Sequence, residues 1–168
     1  MFNYKAVLCA ISSILIASSP AKADWQFTKW GMSPDQVQKA SPVKLSSGDY
    51  CPVNNKNNSS GYYQVKYATD WNVGSMKFIA CFLFADNKLR IVNLFTKNVN
   101  QDVLIRGLSQ KYGQPKIDQF YTSTNYKWNM PSEQVRFTIS SFEGVVNPYV
   151  LSYEDKSDSD ENAIRNGL

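Results

Sequence analysis

Side chains that commonly carry out catalysis are scarce in this sequence. None of its 168 residues is a histidine, so a Ser-His-Asp triad, a Cys-His pair and a histidine-bound zinc are excluded. A carboxylate pair, a Ser-Lys dyad and an all-oxygen metal site are the remaining routes to chemistry. The sequence has no Asp-x-Asp-x-Asp loop, no Gly-x-Ser-x-Gly motif and no glycine-rich phosphate loop to indicate one of them. We therefore predict a protein that is not an enzyme and that has no cofactor or metal site.

Cysteine is the other residue type with chemistry of its own, and its role depends on where the protein resides. Residues 1–23 have the pattern of a bacterial secretory signal peptide, with Lys5, an apolar run over 6–17 and the cleavage motif Ala21-Lys22-Ala23. The apolar run is too short for a membrane anchor. We expect cleavage after Ala23, a periplasmic or secreted protein, and no transmembrane segment in the mature chain.

Cleavage there would remove Cys9 and leave Cys51 and Cys81. Thiols tend to pair in an oxidising compartment, so a Cys51–Cys81 disulfide is expected. Closing this loop of about 30 residues would add roughly 3–4 kcal/mol of stability. The alternative is that Cys81 is a small buried residue in an apolar strand and that Cys51 is free.

Two short helices that would position these residues are predicted from capping signals. The first begins at Ser33-Pro34-Asp35-Gln36, which has the residue types of a capping box with proline at the first helical position, and covers about 34–39. The second begins at Asn98 or Asn100 and ends at Gly113-Gln114-Pro115.

Alternation of apolar and polar residues predicts the strands. A polar loop over 46–61 precedes three of them, and the second of these is apolar on both faces, which favours a central place in the sheet. Asp86-Asn87 predicts a tight hairpin between the second and third strands. The expected strands are 63–67, 76–84 and 88–95 before the second helix, and after it three more, 117–122 joined to 125–130, then 134–142 and 148–153.

These elements predict an α+β fold in which two αβββ repeats, at about 24–97 and 98–153, form an antiparallel sheet of about six strands with two helices packed on it. One domain would cover 24–153, pinned by the disulfide. Residues 154–168 are rich in Asp, Glu, Ser and Asn, and we predict that they form an acidic disordered tail.

Aromatic and basic residues are the candidates for a binding surface. Tyr62 and Trp71 are flanked by polar loop and are expected to be exposed, whereas most other aromatic residues suit a core. Lys66 and Arg90 lie among aromatic residues on strands and complete the candidate surface. The alternative is that these basic residues belong to solvated strand faces and protect sheet edges. Export excludes cytoplasmic nucleic acid, so no nucleic-acid partner is expected.

Two motifs resemble those of a known group of proteins. Trp30-Gly31-Met32-Ser33-Pro34-Asp35-Gln36-Val37 and Leu108-Ser109-Gln110-Lys111-Tyr112-Gly113-Gln114-Pro115 are similar to a helix start and a helix stop of the SmpA/BamE and β-lactamase-inhibitor-protein-like group of small exported bacterial domains. The resemblance implies a helical segment packed on an antiparallel sheet, and a role in binding other proteins as an assembly-machine subunit or an enzyme inhibitor. It transfers no functional residue, because the matched positions are helix caps.

The sequence therefore predicts an exported, non-enzymatic protein that binds an unidentified protein or envelope component, as an inhibitor or an assembly factor. Two alternatives stay open. A carboxylate-based hydrolase of cell-wall polysaccharide would need two carboxylates about 5–10 Å apart in a cleft. A periplasmic domain for a small ligand would need an aromatic-lined cavity of several hundred Å³.

Overall fold

A single antiparallel sheet of eight strands organises the chain. The computed structural model describes residues 25–52, 62–141 and 148–156. The strands lie side by side in the order β1-β2-β3-β4-β8-β7-β6-β5, so β8 joins the two halves of the sheet. Along the chain the elements are α1 Pro34–Ala40, β1 Ser46–Ser47, a 3-10 turn Gly48–Tyr50, β2 Gln64–Val73, β3 Met76–Ala85, β4 Lys88–Thr96, α2 Gln101–Tyr112, β5 Lys116–Phe120, β6 Ser123–Asn129, β7 Glu133–Ser140 and β8 Tyr149–Asp155.

The predicted α+β class is confirmed, since two helices accompany an antiparallel sheet, but the sheet has more strands than the six expected. The stretch 117–130 folds back on itself into β5 and β6, with Phe120 paired to Ser123 across the turn. Short β1 pairs with β2 at the edge. The predicted αβββ repeat is not confirmed, because four strands rather than three follow α2.

Both helices begin at the predicted caps. The Ser33 hydroxyl accepts a hydrogen bond from the backbone N–H of Gln36 at 3.3 Å, and the Gln36 side-chain oxygen accepts one from the N–H of Ser33 at 2.9 Å. This capping box satisfies two N–H groups that a helix start otherwise leaves without partners. Asn100 caps α2, because its Oδ1 accepts from the N–H of Val103 at 3.1 Å.

The helices and the segment 25–32 cover one face of the sheet, which we name the helical face. Leu104 and Leu108 of α2 and Val37 of α1 are buried against it. The indole N–H of Trp128 donates to the carbonyl of Gly113 at 2.8 Å and so fixes the end of α2 on β6. The sheet residues of this core are Phe78, Ala80, Phe82, Phe84, Leu89, Val92, Leu94, Trp128, Val135, Phe137 and Leu151.

On the opposite face a smaller core surrounds the predicted disulfide, which is confirmed. Cys51 and Cys81 are bonded, with Cα atoms 5.8 Å apart, and both are buried. The bond ties the end of the 3-10 turn to the middle of β3. The members of this core are Cys51, Val65, Ala68, Cys81, Leu83 and Phe95, all from the turn or from β2, β3 and β4.

The sheet ends two residues later than predicted, because β8 includes Glu154 and Asp155. Their charges are compensated inside the sheet: Arg136 pairs with Glu154, and Arg90 pairs with Asp155. Composition alone assigned both carboxylates to the tail. The rest of that predicted tail from 157 onward, and the whole predicted signal peptide, lie outside the described residues.

Candidate functional site

The residues predicted to form a binding surface are not gathered in one place. Trp71 is half-buried on the helical face, where its ring lies 5.1 Å from that of Trp25 and 6.1 Å from that of Phe27. Tyr62 is half-buried as well and packs edge to face on Tyr63 at 5.0 Å. Both rings therefore pack against other aromatic residues, and neither is among the large apolar side chains that the described residues expose.

Arg90 corrects the prediction of an exposed binding residue. Its side chain is buried, 4% exposed, and its Nη1 donates to Oδ2 of Asp155 at 2.9 Å. Arg90 alternates along β4 with Val92 and Leu94, which belong to the core of the helical face. It is also the extra residue of a β-bulge, because the pairing of β3 with β4 skips one residue between Leu89 and Ile91.

Lys66 occupies a second bulge, between Val65 and Tyr67 on β2, but this lysine is exposed. It lines a shallow cavity of about 240 Å³ together with Ser33, Pro34, Asp35 and Asn87. Of the four predicted surface residues, Lys66 is therefore the one that is exposed.

The second half of the sheet presents a polar surface on the side away from the helices, which we name the open face. Lys116, Lys127 and Arg136 are register partners on β5, β6 and β7, so the three basic side chains stand in one row. The row continues through Ser152 of β8 to Asn93 of β4. Residues that share a row share a face, because side chains alternate along each strand.

Two carboxylates moderate the charge of this row. Asp118 lies 2.8 Å from Nζ of Lys127 and 3.5 Å from Nζ of Lys116. The hydrogen bond from Lys127 is the main reason that the pKa of Asp118 is held below its usual range. Arg136 pairs with Glu154. Three cations and two carboxylates leave the row weakly positive.

A pair of exposed aromatic residues lies at one corner of the open face. Phe120 ends β5 and is 65% exposed, and Tyr121 in the following turn is 108% exposed. Phe120 shares its strand face with Lys116 and Asp118, four and two positions away. We name Phe120 and Tyr121 the hairpin tip. The sequence interpretation missed these residues, although the join between 117–122 and 125–130 indicated a turn next to them.

A cleft of about 630 Å³ opens at another part of the sheet, between the β2–β3 hairpin and the connection from β4 to α2. Asp70 is the single carboxylate among the described residues that line it. The pair of carboxylates that a glycosidase needs is therefore not found in that lining. No three residues of metal-binding type cluster in the described part of the chain.

Comparison with known proteins assigns no family to this chain. No protein-family model matches it, and neither the curated proteins nor the solved structures contain a significant match. Among the described residues, no helix has the length and apolar character needed to cross a membrane.

Proposed function

We propose that this chain is an exported protein that binds another protein through the hairpin tip and the adjoining open face, and that it performs no catalysis. The observation that carries the proposal is the exposure of Phe120 and Tyr121 beside a row of charged side chains. Large aromatic residues dominate interface energies when a partner buries them.

The open face supports the same function. An interface commonly combines a few buried aromatic anchors with a polar rim whose charges set orientation and association rate. Here Phe120 and Tyr121 would supply the anchors, and Lys116, Asp118 and Lys127 would supply the rim. The ion pairs within the row hold those side chains in place before a partner arrives.

Export is part of the proposal, and the disulfide supports it. Structural disulfides persist in oxidising compartments and are rare in the cytosol. The signal-peptide pattern of 1–23 points the same way. The resemblance to SmpA/BamE-like and β-lactamase-inhibitor-protein-like domains, which bind other proteins, agrees with this role as an inhibitor or an assembly factor.

Site-specific photo-crosslinking tests the binding surface. Tyr121→p-benzoylphenylalanine is expected to give an adduct of one defined mass in envelope extracts of the cells that make the protein. The same group at Lys39, which is exposed on α1, is the position control and should not give that adduct.

Competition with unlabelled variants completes the test. The parent protein should suppress the adduct, and the double variant Phe120→Ser, Tyr121→Ser should suppress it at least tenfold less well while unfolding at the same urea concentration. Val43→Ser, a change at another exposed apolar residue, should compete like the parent. Equal adducts from positions 39 and 121, or full competition by the double variant, would refute the proposal.

A further inference from the structure

The cleft arises because β3 is longer than its neighbour β4. Pairing between β2 and β3 continues to Val73 and Met76, but pairing between β3 and β4 begins only at Ile79 and Phe95. The chain leaves β4 after Thr96 and turns towards α2. The end of β3 and this connection therefore diverge, and about 630 Å³ lies between them. Small-molecule sites typically occupy roughly 300–1,000 Å³.

Apolar residues from both faces of the sheet line the cleft. Phe95 and Ile79 are register partners and share one face with Lys77, whereas Phe78 and Val99 belong to the core of the helical face. Met76 and Ile79 line the cleft as half-buried residues. An apolar group that displaced water from this wall would gain roughly 25 cal/mol for each Å² covered.

The rim carries two lysines whose charges are not neutralised within the described part of the chain. Lys77 on β3 and Lys97 after β4 are exposed, and neither forms an ion pair with a described residue. The one carboxylate of the lining, Asp70, accepts a hydrogen bond from the Tyr50 hydroxyl at 2.9 Å. The rim thus has an excess of positive charge above an apolar wall.

We propose that this cleft binds an organic anion that combines a carboxylate with an apolar chain. The chain would lie on Ile79 and Phe95, which share one face of the sheet with Lys77, and the carboxylate would sit between Lys77 and Lys97. A neutral apolar molecule would leave the two cations unused, and an organic cation would be repelled by them. The cleft shares no residue with the hairpin tip or the basic row of the open face, so the inference does not depend on the proposed protein-binding function.

Titration with decanoate, followed by amide chemical shifts of the disulfide-bonded protein, tests this inference. Decanoate below its micelle concentration should give saturable shifts confined to about 75–79 and 95–100. Acetate, which has the carboxylate alone, should give no saturable shift. Decyltrimethylammonium, which has the same chain and the opposite charge, should bind at least tenfold more weakly.

Charge variants identify the groups responsible. Lys77→Gln with Lys97→Gln should weaken decanoate binding at least tenfold, whereas Lys39→Gln with Lys88→Gln, which removes two exposed lysines elsewhere, should leave it unchanged. Asp70→Asn should tighten binding, because it removes the only negative charge of the described lining while keeping an acceptor for Tyr50.

Three results would overturn the inference. These are equal affinity for the anionic and cationic probes, unchanged decanoate affinity in the variant that lacks Lys77 and Lys97, and saturable shifts confined to residues outside the cleft. Absence of saturable decanoate binding would overturn it as well.

Discussion

Lys66 and Arg90 show that two basic side chains at similar positions in the strands on either side of β3 can have opposite exposure. Both are the extra residues of bulges in neighbouring parts of the sheet, yet Lys66 is exposed and Arg90 is buried against Asp155. Bulges leave little trace in sequence, because the apolar alternation resumes one residue later. Sequence reasoning assigned both residues to one surface because both lie among aromatic residues on strands.

Replacing Arg90 with leucine tests the buried pair. Arg90→Leu should lower the free energy of unfolding by about 3–5 kcal/mol, because it removes the charged group that pairs with the buried carboxylate of Asp155. Arg136→Leu is the matched control, and it should cost at most about 1 kcal/mol because its pair with Glu154 is partly exposed. Urea unfolding measures both values, and similar losses would contradict the distinction.

The aromatic residues illustrate the same limit on prediction. Polar neighbours suggested that Tyr62 and Trp71 would be exposed, but both pack against other rings. Exposure depends on what folds over a side chain, and segment 25–32, far from Trp71 in sequence, supplies its neighbours. Phe120 and Tyr121 are exposed because they end an edge hairpin, which became evident only with the pairing of β5 to β6.

At the scale of elements, the sequence was sufficient to predict helix starts and tight turns, because residues close together in the chain form them. The caps Ser33 and Asn100 set the starts of both helices. Asp86 and Asn87 make the β3–β4 turn with φ of 48° and 61°, values that these residue types tolerate. The predicted strand 117–122 extends past the observed end of β5 at Phe120, because tyrosine and threonine, which follow it, are not typical turn residues.

Two glycines offer a matched test of element packing. A Cβ on Gly48 would lie 2.2 Å from the carbonyl oxygen of Val65, so Gly48→Ala should separate the 3-10 turn from β2 and destabilise the protein by at least about 1–3 kcal/mol. Gly107→Ala on α2 meets no atom within 4 Å and should stabilise by roughly 0.5–1 kcal/mol. Thermal unfolding of the two variants should therefore shift in opposite directions, and shifts of the same sign would refute the argument.

At the scale of the whole molecule, the sequence predicted the class of the fold but not the arrangement of the strands. Hydrophobic alternation identifies a strand and its buried face, whereas strand order depends on contacts between distant segments. Whether the halves form one sheet or two was therefore open until β8 was found between β4 and β7. The pairing of Ile91 with Glu154 is one contact that no local sequence pattern predicts.

The disulfide is the covalent constraint on this arrangement, and its removal has a predictable cost. Reduction should lower the free energy of unfolding by about 3–4 kcal/mol, because the bond closes a loop with a sequence separation of 30. Urea unfolding with and without dithiothreitol measures the change. A Cys51→Ala, Cys81→Ala variant serves as the control and should not respond to the reductant. A parent protein equally stable in both conditions would contradict the prediction.

The position of β8 also determines the order in which the molecule can assemble. It is the last described strand along the chain, yet it lies in the middle of the sheet and covers one edge of β4 and one edge of β7. Until this strand arrives, the earlier strands can form only two separate partial sheets, each with an unpaired inner edge. Pairings of such long sequence separation form slowly, and open edges invite aggregation. A newly made chain thus stays incompletely folded until β8 is available.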